Sequence, residues 1–112
     1  MSAYTDFMEE QFFGEMARLR FEIDEEEEWL KKYVTARRAY PLWKTKLGGE
    51  IRLEDMTDSH IENALRLVLE RDSENGWVKA FQQEKTYREL INKLPEKKEE
   101  LRSLQETADI VF

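Results

Sequence analysis

From Asp6 to about Arg38, apolar residues fall at Phe12, Met16, Leu19, Ile23, Leu30 and Tyr33. These are the alternating four- and three-residue steps of a heptad seam, with Glu26 occupying one seam position. No proline and only one glycine, Gly14, interrupts the stretch, so the pattern predicts a long N-terminal helix whose seam wants a partner helix. A helix of roughly 30 residues extends about 45 Å, more than a compact domain of this size is wide. It therefore folds back in a hairpin or projects into an oligomer, and the seam favours a homo-oligomer.

Pro41 ends this helix, because the residue before a proline is pushed out of helical geometry. Leu42 to Lys46 then alternates apolar and polar residues, Leu47-Gly48-Gly49 supplies a turn, and Glu50 to Glu54 alternates again. The pattern predicts a small β-hairpin whose Trp43, Ile51 and Leu53 pack on helices. Thr57 is a favourable N-cap, with Ile61, Ala64, Leu65 and Val68 following at amphipathic spacing, so a capped central helix runs from Asp58 to about Arg71. After a polar loop, Trp77, Phe81, Ile91 and Leu94 mark another helix up to a break at Pro95, which suits the first turn of a last helix bearing Leu101, Leu104 and Ala108. The apolar end, Ile110 to Phe112, is expected to dock. The expected fold is mainly α (α+β), a single domain of three segments: residues 1–40, 41–75 and 76–112, the last holding two C-terminal helices.

Charge changes this picture in one respect. The net charge is -7, acids outnumber bases up to Asn75 and balance them after Gly76, so no segment carries a basic footprint for duplex nucleic acid. With no cysteine and a single His, thiolate metal sites and disulfides are excluded, and no cofactor is implied. The start of the chain has neither a basic nor an apolar signal-like stretch, and no run of about 18 apolar residues occurs; a cytoplasmic protein is expected, with no membrane span.

The stretch from Trp43 to Leu65 contains Trp43, Thr45, Gly48 or Gly49, Ile51, Asp55, Met56, Thr57, His60 and Asn63. It resembles a motif in short proteins of tailed phages and prophages, a Trp-x-Thr hairpin with a glycine turn leading into Asp-Met-Thr-x-x-His and an Asn-Ala helix. The extra glycine at the turn departs from that family's usual spacing. The family is mostly of unknown function, so the resemblance implies provenance, host-cell cytoplasm as the compartment, and an accessory or counter-defence role.

Three candidate chemistries follow. Asp24, Glu25, Glu27, Glu28 and Trp29 form an acidic, aromatic surface for a basic host protein, against the plainer reading of a solvated helix face. Trp43, Lys44 and Arg52 from the hairpin, with His60, Asn63 and Arg66 from the central helix, suit a nucleotide, the ring stacking on a base and the cations meeting phosphate; the plainer reading makes Trp43 core. Asp58, His60 and Glu62 diverge around their helix and are poorly spaced for a metal or a general base. No catalytic motif occurs. The expected function is a non-enzymatic inhibitor acting by stoichiometric protein binding, with a nucleotide sponge and an acidic DNA mimic as alternatives.

Overall fold

The N-terminal helix forms as the pattern predicts. In the computed structural model, which describes the backbone of residues 3–111 and the side chains of residues 8–111, α1 runs Ala3–Ala39 and stops two residues short of Pro41. There follow β1 (Trp43–Lys44), β2 (Glu50–Ile51), a 3-10 turn (Leu53–Asp55), α2 (Asp58–Arg71) and α3 (Gly76–Val111). The fold is mainly α, with one antiparallel hairpin whose register pairs Trp43 with Ile51 and Lys44 with Glu50. Among the described residues, no helix is long and apolar enough to cross a membrane.

Local chemistry accounts for most boundaries. Gly48 takes a φ of +87°, which a side chain rarely adopts, and lets the chain reverse between the strands. The Thr45 side chain closes this turn, donating to the Gly49 carbonyl and accepting from the Gly49 N–H. The Thr57 hydroxyl accepts from the His60 N–H at 3.1 Å, capping α2 at the position expected. Asn75 does the same for α3, accepting from the Trp77 N–H at 2.9 Å. The hairpin is shorter than the alternation suggested, because Leu53 leaves the strand and turns into the core at 2% exposure.

Two compact units share α1 and α3. One joins α1 up to Trp29 to α3 from Ile91 onward. In it Met16, Leu19 and Ile23 of α1 are buried, as are Leu94 and Ala108 of α3. The heptad seam thus meets a partner helix, α3, within the same chain. Glu26, the acid on that seam, accepts from Lys97 at 2.5 Å, and Lys97 also lies 3.4 Å from Glu22. Glu26 beside it raises the Lys97 pKa.

The other unit, Leu30–Leu90, holds the hairpin, α2 and the remaining parts of α1 and α3. Its core is built from Leu53 and Met56, from Ile61, Ala64, Leu65 and Val68 of α2, and from Val78, Ala80 and Phe81 of α3. Tyr40, Trp43, Ile51 and Trp77 pack against that core, so the apolar face of the hairpin docks as the alternation requires. Trp77 stacks on Phe81 at 5.3 Å, and Trp43 meets both nearly at right angles.

Two expectations are corrected. The two C-terminal helices are one: α3 continues through Pro95. A proline inside a helix removes one hydrogen bond and crowds the carbonyl four residues back, here that of Ile91, at a cost of about 3 kcal/mol. Burial of Leu94 on one side and the Lys97 and Lys98 ion pairs to α1 on the other hold the helix across the defect. The apolar tail does not dock, since Ile110 is 86% and Val111 62% exposed, while Phe112 lies outside the described residues. Replacing Pro95 by Ala restores the missing bond without altering the element, so P95A is expected to raise the stability by about 1–3 kcal/mol, read as a higher urea midpoint at unchanged helicity. A lowered midpoint would show that the defect itself is needed for packing.

Candidate functional sites

The most unusual ionisable group is Glu84, a carboxylate with no exposed surface in the face of α3 that also carries Trp77 and Phe81. One oxygen accepts from the Tyr33 hydroxyl at 2.7 Å; the other accepts from Arg37 at 2.5 Å and from Arg88 at 3.1 Å. Arg37 also lies over the Tyr87 ring, 4.4 Å from its centroid. Arg88 reaches further, donating to the Leu53 and Met56 carbonyls and to Asp58 at 2.6 Å. Both carboxylate oxygens are engaged and closed to solvent, which makes this a structural ion cluster and leaves no atom of Glu84 for a substrate. The sequence reading passed over it. The signal was available: residues 77, 81, 84 and 88 follow one helical stripe, and an acid within an apolar stripe needs a base opposite.

The residues assigned to a nucleotide are partly brought together. Trp43, Lys44, Thr45 and Lys46 from the hairpin face His60, Asn63, Ala64, Leu67 and Arg71 of α2 across a cleft of about 570 Å³. Four of the six expected residues, Trp43, Lys44, His60 and Asn63, line it; Arg52 and Arg66 do not. Arg52 caps the 3-10 turn, outside the cleft. Arg66 donates to the Asn63 side-chain oxygen at 2.9 Å and lines a separate groove with Glu62, Glu70 and Lys85. The reason is angular. Successive three-residue steps drift about 60° around a helix, so Arg66 stands roughly 120° from His60, whereas Arg71, eleven residues on, returns to the same face. Arg71 and Lys46 are the cations that the sequence reading missed.

No carboxylate lines this cleft, although the protein as a whole is acidic. Lys44, Lys46 and Arg71 make no ion pair with any described residue, and the His60 imidazole has no hydrogen-bond partner there. Asp58 is held by Arg88 instead of facing His60, and among the described residues no three His, Asp or Glu side chains converge as metal ligands.

The acidic run divides between two roles. Glu26 and Glu27 are half-buried and bonded to Lys97 and Lys98. Asp24, Glu25 and Glu28 face outward, and Trp29 is half-buried. Asp24 and Glu25 have no ion pair with any described residue. On the same outward face the structure adds two residues that the heptad reading set aside: Phe21 is 63% exposed and Phe13 43%. Phe13, Ala17, Phe21 and Glu25 form one four-residue ridge, with Asp24 and Glu28 beside it and the bases Arg18 and Arg20 at its two edges.

No family model, curated protein or solved structure matches this chain.

The Glu84 cluster has a consequence for pH. Burial and the carboxylate at its hydroxyl raise the Tyr33 pKa well above the ordinary 10.0. A tyrosine with a raised folded pKa contributes stability that is complete below its unfolded value and is lost as pH rises beyond it. The wild-type protein is therefore expected to lose stability more steeply than Tyr33→Phe between about pH 9 and pH 11, in urea titrations at each pH. Parallel curves for the two proteins would show that Tyr33 ionises freely in the folded state.

Proposed function

We propose that this chain is a non-enzymatic binding protein, a phage or prophage accessory factor that blocks a host defence or regulatory protein by stoichiometric contact in the host cytoplasm. The observation that carries the reading is the outward face of α1. Phe21 and Phe13 stand exposed on a helix whose other face is already covered by α3, and carboxylates flank them. Aromatic side chains that become buried on binding supply much of an interface's energy, and surrounding charge selects the partner and its orientation. The chemistry fits a host segment that presents an apolar pocket rimmed by Lys or Arg. The phage provenance rests on the resemblance of the Trp43-to-Leu65 segment, and the counter-defence role on that provenance.

The test is capture from host lysate followed by reconstitution with the purified partner and native mass spectrometry. A partner bound at a fixed ratio is expected, its affinity falling about tenfold or more in Phe21→Ala and in Asp24→Lys combined with Glu25→Lys, with helicity unchanged. Lys79→Glu, on an exposed site of α3, is expected to bind as wild type. Capture that persists unchanged in both face variants would sink the reading, as would a dimer of this chain held by Phe21 in place of a host protein.

A further inference from the structure

We propose that the cleft between β1 and α2 binds a nucleoside phosphate, its base against Trp43 and its phosphates among Lys44, Lys46 and Arg71. This site is independent of the outward face of α1.

The electrostatic argument comes first. In a chain of net charge -7, three cations without an ion pair converge on one concavity that no carboxylate lines. Elsewhere several bases are held by neighbouring acids: Arg37 and Arg88 by Glu84, Lys97 by Glu26, Lys98 by Glu27, Arg18 by Glu15 and Glu22, and Arg102 by Glu99. Like charges on one concavity repel one another, and a multiply charged anion relieves that repulsion while gaining charge-assisted hydrogen bonds, although Glu50 across the hairpin from Lys44 and Asp72 next to Arg71 stand just outside the lining.

The aromatic argument selects among anions. Trp43 borders the cleft and is held by Trp77 at 5.2 Å and Phe81 at 5.1 Å, both nearly perpendicular to it. A braced indole offers a ring at little further cost in side-chain entropy, and stacking of a base on an aromatic side chain is favourable for every base. Asn63, whose oxygen is taken by Arg66, has its amide group left to donate, and the His60 ring is unengaged. These are edge-reading groups beside a stacking platform. The cleft, about 570 Å³, lies within the usual range for small ligands. A polynucleotide is disfavoured, since the acidic remainder of the surface repels a continuous phosphate backbone.

The test uses the full chain with nitrogen-15 labelling, titrated separately with each of the four common ribonucleoside diphosphates, with inorganic pyrophosphate and with adenosine. At least one diphosphate is expected to shift the Trp43 indole and the His60 and Asn63 amides, and to bind about tenfold or more tightly than pyrophosphate or adenosine. Lys44→Glu and Arg71→Glu, both at exposed positions, are each expected to weaken that binding by about tenfold or more while leaving the rest of the spectrum in place. Phe21→Ala is expected to bind the diphosphate as wild type, which separates this site from the α1 face. Absence of shifts with every diphosphate overturns the proposal. So does pyrophosphate binding as tightly as the nucleotides, or binding that survives both charge reversals.

Discussion

A carboxylate removed entirely from water must have its charge matched within the protein, and Glu84 sets that condition for the unit around it. Tyr33 and Arg37 answer from α1, and Arg88 answers from one turn further along α3. Arg88 then spends its remaining donors on the Leu53 and Met56 carbonyls and on Asp58, which ties the 3-10 turn and the first turn of α2 to the same charge. Apolar contacts are not directional and would tolerate a slide of one helix along another. The carboxylate would not: a shift of one turn, about 5.4 Å, takes the Tyr33 hydroxyl and both guanidinium groups out of reach. Loss of one partner from such a buried cluster typically costs about 3–5 kcal/mol, because the charge left behind has no water to turn to.

Glu26 repeats the device in weaker form. It also sits on an apolar seam and meets a base of α3, Lys97, but one of its oxygens is buried without a hydrogen-bond partner. Acids on α1 and α3 that meet bases across the pair thus mark where the two helices are matched. A seam of unbroken leucine would bury more apolar area and specify its register less well.

Much of this was legible in the sequence, and the limits have physical causes. Thr57, Pro41 and the glycine turn act within a few residues of themselves, so their effects could be read directly. Pro95 could not, because its outcome depends on Leu94, Lys97 and Lys98 finding α1, a tertiary matter that outweighs a local penalty. Leu53 looked like the last residue of an alternating strand and instead became a core anchor under the 3-10 turn. At the cleft, Trp43, Lys44, His60 and Asn63 were placed by residue type and spacing. Arg66 was placed by counting in threes, and the helix carries it off the face that Arg71 regains. Phe13 and Phe21 were invisible to a reading that followed only the seam.

The proline within α3 also bears on how the chain acquires its structure. Helix growth normally propagates one hydrogen bond at a time from a costly nucleus, and Pro95 withholds the N–H that would carry it across residues 91 to 95. Each arm of α3 has its own anchorage, one in the Phe81 and Glu84 contacts and the other in the pairing of Lys97 and Lys98 with α1, so neither relies on the weakened turn between them.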